Sequence, residues 1–428
     1  MTNYKAFREC ISDNDNELII YAADNFPQFP RRDSSVISKC DRTLAAAHPD
    51  DLIVLRGTLD HEYYNWLRSL DLGSDLIVEF GEDSVGMTLS GLIINAPEPI
   101  KKIIRKTGRK PVYVPWFSSN LETRAAQVLG AELFGAPETE TLKYNDKASF
   151  KIICRQLDIP VVEGVSFEIK PQNSENYLMM KAIIKDYLRS YNTVIMRGTL
   201  GKSGMSLYKT NGDDIAEIYR EILDSSEKVV IIEPFLNVSS SPNDQWIISR
   251  DCSINHLGIR DQICKKGMIH IGTIKEAQIS AADSKYIEET SLKIVDKMAE
   301  TGYKGVVGID YIVSDKGLFP VENNARFNGS SYVSLIVDNI EDLTRPISCW
   351  KFMKIKTSPC SFIELKEHLK TVLYDGVKAN SIFPFNCEAL PDTGNFSVIF
   401  LAENMDNVSK LEQTIKEIEV KRDVPIPE

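Results

Sequence analysis

The sequence predicts a mixed α/β and α+β protein, and three observations carry that expectation. Its 428 residues are too many for one simple core, so two to three domains are expected. Strand-like and helix-like patterns alternate over residues 1–145, which argues for an α/β layer. Further on, apolar strands bounded by turn clusters give way to a small α+β unit at residues 351–428.

The elements follow in order. In the first layer, strands are expected at 17–21, 51–55, 76–80, 91–95 and 112–114, with helices at 61–70, 100–107 and 120–129. No G-x-G-x-x-G follows any of these strands, so a dinucleotide fingerprint is absent. Asn145 is a credible N-cap for an amphipathic helix that Asp158-Ile159-Pro160 ends. A helix at 175–190 precedes a strand at 193–196 and the glycine-rich loop 197–204. A returning strand at 205–209, a helix at 213–223 and an apolar strand at 228–233 come next. Antiparallel strands at 245–249, 254–263 and 268–273 and a helix at 281–301 lead into a hairpin at 308–326. The last unit reads as helices at 361–374 and 409–418 and strands at 381–385 and 396–402, with 420–428 a loose tail. Boundaries are set at 1–145, 146–350 and 351–428, the middle domain dividing into about 165–235 and about 236–350.

The hairpin carries the most chemistry. Apolar, β-branched runs flank Ser314-Asp315-Lys316-Gly317, a turn cluster whose glycine tolerates positive φ. A three-residue loop with a G1 bulge pairs Ser314 with Leu318 and sets Asp310 directly opposite Glu322. Two facing carboxylates repel unless a cation sits between them. Asn324 and Arg326 continue the same face at period two. Asp, Glu and Asn oxygens suit Mg²⁺ shared with phosphates, and the arginine suits further negative charge. Paired acids on a hairpin are more often a solvated face, but the flanking strands here are apolar on both sides.

Composition removes several classes. A net charge of −11 argues against nonspecific nucleic-acid or anionic-membrane binding. No apolar run approaches the ~20 residues that span a bilayer, and Met1–Cys10 has no apolar h-region. Eight scattered cysteines without a CxxC pair fit reduced thiols in a cytoplasmic protein, and five dispersed histidines make zinc an unexpected ligand.

Gly201-Lys202-Ser203 resembles part of a Walker A loop, but Met196 stands where its first glycine is required and the following residues alternate like a strand. Arg197 and the segment Gly201-Lys202-Ser203-Gly204 suit instead a flap whose backbone N–H groups and cations cover phosphates. The order is then informative: Lys147 at a helix start, Arg197 before a glycine-rich loop, an apolar strand ending in Glu233, and the Asp/Glu/Asn/Arg hairpin. Over residues 112–345 this order resembles the ATP-grasp superfamily. The resemblance implies an ATP-grasp fold with an N-terminal pre-ATP-grasp α/β layer and a small C-terminal α+β domain.

It also implies roles. Lys147 matches the first phosphate-binding lysine, Arg197 a position usually occupied by lysine, and Gly201 to Gly204 the phosphate flap. Glu233 with the backbone of Phe235 and Leu236 matches the adenine hinge; Asp244 is the nearest acid for a ribose. Asp310, Glu322 and Asn324 match the Mg²⁺ ligands, and Arg326 the residue facing the transferred phosphate and acyl group. Arg260 and Arg250 are candidates for anchoring a substrate carboxylate. The stretches 256–262 and 324–329 are similar to pheganomycin-type and butirosin-type peptide ligases. The expected activity is ATP-dependent joining of a small-molecule carboxylate to an amine through an acyl phosphate, in a homodimer by family analogy. Two alternatives stay open: transfer of the acyl group to a carrier-protein thiol, and nucleotide binding without catalysis.

Overall fold

The computed structural model describes residues 6–12, 14, 16–24, 40–81, 87–200, 206–225, 227–265, 267 and 269–420. Three sheets organise the described chain. The first is parallel, with strands β1 (Glu17–Ala22), β2 (Leu52–Leu55), β3 (Leu76–Glu79), β4 (Lys110–Pro115) and β5 (Glu132–Leu133) in the order β3-β2-β1-β4-β5. β1 and β2 are buried throughout, as expected of a parallel sheet covered on both faces. One expected strand is a helix: Leu89–Asn95 is capped by Thr88, whose hydroxyl accepts the Gly91 N–H at 2.9 Å. A short apolar run has no periodicity that separates strand from helix, and here the cap decides.

A second, antiparallel sheet contains β6 (Val165–Glu168), β7 (Val194–Gly198), β8 (Leu207–Thr210) and β9 (Val229–Pro234) in the order β6-β9-β7-β8. The helices Ser174–Tyr187 and Ile215–Asp224 cover it, and its apolar cluster, including Met180, Ile184, Met196 and Ile222, is separate from the others.

The third sheet has nine strands. β10 (Val238–Ser240), β11 (Pro242–Ile248), β12 (Ile254–Lys265), β13 (Ile269–Ile274), β14 (Gly305–Ser314) and β15 (Gly317–Asn324) precede β16 (Cys349–Lys356), β17 (Ser381–Phe385) and β18 (Asn395–Ala402). Because β13 pairs with β16, the C-terminal unit continues this sheet instead of forming its own. Its aromatic residues also pack on the first layer: the Trp66 ring lies 5.4 Å from Phe362 and 5.0 Å from Phe383.

Residues 237–243 and 329–334, expected as loops, fall largely within ordered elements: 238–240 and 242–248 are strands, and Gly329–Leu343 is a helix opened by Asn328, whose side chain accepts the Ser331 N–H at 3.1 Å. The helix beginning at Lys147 is capped by Asp146, not Asn145; the Asn145 amide instead ends the preceding helix and donates to the Ala325 carbonyl at 3.2 Å.

Candidate active site

The β14–β15 hairpin places Asp310 opposite Glu322, by a route the sequence does not reveal. The turn is a two-residue one, with Ser314 pairing with Gly317, where φ is +129°. That alone shifts the register by one residue. A bulge at Val321, between the pairs Tyr311/Pro320 and Asp310/Glu322, shifts it back. Pro320 has no N–H for the ladder, so the irregularity falls beside it. The bulged Val321 carbonyl accepts the Arg197 guanidinium at 3.1 Å.

Register then carries one row of side chains across four strands. Glu322 faces Asp310, Asp310 faces Asn243 on β11, and Asn243 faces Arg260 on β12. A second row runs Asn324, Gly308, Gln245 and Gly258. The Asp310 carboxylate accepts three amides, from Asn243 (2.6 Å), Gln262 (2.5 Å) and Asn324 (3.0 Å). Burial, and next the Glu322 charge, push the Asp310 carboxyl up to about 7. Glu322 is held by the Lys147 ammonium at 3.0 Å. The Asn324 side-chain oxygen accepts the Arg326 guanidinium at 2.5 Å, and Arg326 lies 5.1 Å over the Trp116 ring. Gly308 has its own reason: a Cβ there would lie 2.5 Å from the Asn328 amide nitrogen.

Lys147 opens its helix, and its N–H donates to the Thr199 carbonyl at 2.9 Å, at the root of the glycine-rich loop. Residues 201–204, expected to cover phosphates, lie outside the described residues. The loop leaves β7 at Gly198, where a Cβ would come within 2.2 Å of the Glu227 carboxylate. Arg197, beside it, donates to Glu233 at 2.9 and 2.8 Å and to Val321, which leaves two of its five N–H groups. Lys151 completes this cluster, bonding the other Glu233 oxygen and the Val162 carbonyl. Glu233, expected at the base edge, is therefore the buried counter-ion of two cations. The Phe235 N–H is taken by the Thr193 carbonyl at 2.9 Å.

Not every expected residue joins the site. Arg260 does, through the row above; its guanidinium donates to Ser334 at 2.8 Å. Arg250 does not. It follows β11 at the end remote from Asn243 and bonds Glu17 (2.6 Å) and Glu132 (2.9 and 2.7 Å) in the first layer. Asp244 points to the opposite face of the sheet from Asn243, where it bonds His256 and Trp246 at 2.7 and 2.8 Å.

Lys151, Asn243, Gln262 and Trp116 were missed from sequence. Lys151 alone left a signal, lying four residues after Lys147 and thus on the same helical face. The site suits Mg²⁺: two facing carboxylates, one with its proton affinity raised by burial and by the other, and an amide oxygen beside them. Among the described residues no cluster of three His, Cys, Asp or Glu exists, so a cation here rests on these mixed oxygens.

No family model matches the sequence, and no curated protein matches it. Solved structures do. Biotin carboxylase from Campylobacter jejuni superposes with a TM-score of 0.60 at 13% identity, covering 94% of this chain and 91% of its own. The biotin carboxylase domain of Hydrogenobacter thermophilus 2-oxoglutarate carboxylase, solved with MgADP and bicarbonate, gives 0.59 at 14%, covering 94% and 89%. N5-carboxyaminoimidazole synthase from Aspergillus clavatus, solved with ADP and 5-aminoimidazole ribonucleotide, gives 0.58 at 12%, covering 94% and 99%. The chain has the ATP-grasp fold. Lys147 and Arg197 reach the β14–β15 hairpin of the nine-stranded sheet, at Glu322 and Val321, while Arg197 and Lys151 both bond Glu233 of the four-stranded sheet.

Proposed function

We propose that this protein is an ATP- and Mg²⁺-dependent carboxylate–amine ligase that forms a peptide or other amide bond. The observation that carries the proposal is the Asp310/Glu322 pair with Asn324 on one face of the hairpin, Arg326 bonded to Asn324 and Lys147 on Glu322. Asp310, Glu322 and Asn324 would hold Mg²⁺, which neutralises charge across the β- and γ-phosphates. Lys147 and the two remaining N–H groups of Arg197 would bind phosphate oxygens, with Lys147 exchanging Glu322 for them. The Phe235 carbonyl and the Leu236 N–H would read the base edge, since Glu233 is engaged by Lys151 and Arg197.

A substrate carboxylate oxygen attacks the γ-phosphorus, the bond to the β-phosphate oxygen breaks, and ADP leaves. Arg326 faces the negative charge that spreads over the transferred group. The amine then adds to the acyl carbon, phosphate leaves with the bond electrons, and the amine proton passes to solvent or phosphate. Arg260, about 10 Å from Asp310 at two strand spacings, would anchor a carboxylate on one of the two substrates. The domain division at 1–145, 146–350 and 351–428 and the likeness to pheganomycin-type and butirosin-type ligases belong to the same proposal.

The test is a hydroxylamine trap: enzyme, ATP and Mg²⁺ with a panel of amino acids and small acids, scored for hydroxamate and ADP. Hydroxamate identifies the activated acid, and amines in place of hydroxylamine identify the acceptor. ADP without hydroxamate, or no ADP with any acid, overturns the ligase assignment.

A further inference from the structure

Arg42 belongs to no part of this chemistry. It lies in a short 3-10 helix, Cys40–Thr43, in the first layer and is only 7% exposed. One terminal nitrogen donates to the Ala23 carbonyl at 3.1 Å, while its Nε has no hydrogen-bond partner. Among the described residues no carboxylate oxygen comes within 4.0 Å of it. The acids nearby do not neutralise it: the Asp41 carboxyl, which accepts the Glu388 N–H at 2.9 Å, is pushed up to about 7 by burial despite the Arg42 charge beside it, and Asp24 accepts the Leu89 N–H at 2.8 Å. Burying a guanidinium without an anion is costly, so such a side chain is expected to have one when the protein works.

Its position says which anion. The guanidinium carbon lies 4.4 Å from the Tyr332 ring centroid and 5.8 Å from that of Trp116, the indole that Arg326 overlies at 5.1 Å. Phe327 ties the two sides together, its N–H donating to the Trp116 carbonyl at 3.1 Å and its ring stacking on Tyr332 at 5.1 Å. Tyr332 stands just past the first turn of the fifteen-residue helix Gly329–Leu343, whose N-terminal end carries partial positive charge. Two guanidiniums and a helix N-terminus therefore gather around one indole.

We propose that Arg42, Trp116 and the N-terminus of the helix Gly329–Leu343 form a second anion subsite beside Arg326, taking a carboxylate or phosphate group at the far end of the acid being activated. This rests on the ligase assignment above and adds the substrate class: an acid with two anionic ends. The planar fork of arginine suits both groups, so the test carries one arm for each.

The full-length protein, loaded with Mg²⁺ and ADP, is titrated calorimetrically with glutarate, with phosphoglycolate, and with the monoanions butyrate and glycolate. The expected result is that at least one dianion binds about tenfold or more tightly than its matched monoanion, and whichever dianion does so identifies the group. In Arg42→Met that preference disappears, while ADP affinity is unchanged. No dianion preference in the wild type, or an undiminished preference in Arg42→Met, overturns the subsite. If circular dichroism shows Arg42→Met unfolded, Arg42→Lys decides: it keeps the charge but loses the fork, and wild-type affinity for the dianion in that variant overturns the proposal. Failure of the ligase assignment is seen separately, as absence of hydroxamate and ADP in the trap.

Discussion

Lys147 reaches Glu322 at 3.0 Å, joining the first residue of one helix to the second strand of the hairpin. Under the proposed ligase reading the contact would set a phosphate-binding cation against a metal-binding acid, and each would release the other when Mg²⁺ and ATP arrive. Lys147→Met is expected to lower kcat/KM for ATP about 100-fold or more, read as ADP release. A drop confined to thermal stability would remove Lys147 from the phosphate site.

Glu322→Ala and Arg326→Ala are expected to reduce ADP formation about 100- to 1,000-fold while leaving the far-UV circular dichroism unchanged. Turnover at wild-type level in Glu322→Ala would remove it from the metal set.

The Asp310 carboxyl, pushed to about 7 by burial and Glu322, would make Mg²⁺ binding at the proposed site depend on pH. Below that value a bound cation must displace a proton. The apparent Mg²⁺ affinity is therefore expected to rise about tenfold per pH unit up to roughly pH 7 and level off above it. In the absence of Mg²⁺ the sign for stability is opposite: a raised acid favours the folded state when protonated, and this contribution is lost as pH rises through about 7. Mg²⁺ titrations at pH 6, 7 and 8 check the first effect, and metal-free melting curves the second.

Arg250 is 4% exposed at its side chain and bridges Glu17 and Glu132 between two sheets. Its hydrogen bonds hold the Glu132 carboxyl below the usual range. Arg250→Met takes the guanidinium away from the buried Glu17 carboxylate and is expected to cost about 3 kcal/mol of stability, with KM for every substrate unchanged. Chemical denaturation measures the first and steady-state kinetics the second.

What could be read from the sequence followed local rules. The hairpin, its acids and the approximate strands were legible because turn residues and period-two patterning are local signals. Even there the facing of Asp310 and Glu322 came from two compensating features, a tighter turn and a bulge at Val321, that no pattern shows. The helix Gly329–Leu343 opens on Gly-Ser-Ser, residues equally at home in a loop; the Asn328 cap makes it a helix. Asn243, Gln262 and Trp116 were illegible because cross-strand register and sheet packing bring them in. Arg250 illustrates the reverse: residue type alone does not say whether a buried arginine meets a substrate or a neighbouring acid.

One apolar cluster runs from Phe7 to Ile415 and includes both the first parallel sheet and the C-terminal strands. Cys40 and Asp41 exchange hydrogen bonds with Glu388 across it, and the Tyr63 hydroxyl reaches the Pro384 carbonyl at 3.3 Å. During translation the first layer emerges long before the residues that finish its interior. Until Phe362, Phe383 and their neighbours leave the ribosome, Trp66 and Tyr63 lack the aromatic partners that cover them. The cluster of the four-stranded sheet, by contrast, closes within residues 167–232 and has no such wait. The nascent chain therefore carries a completed middle and an unfinished beginning, and exposed aromatic surface at the N-terminal end is where chaperone capture is expected.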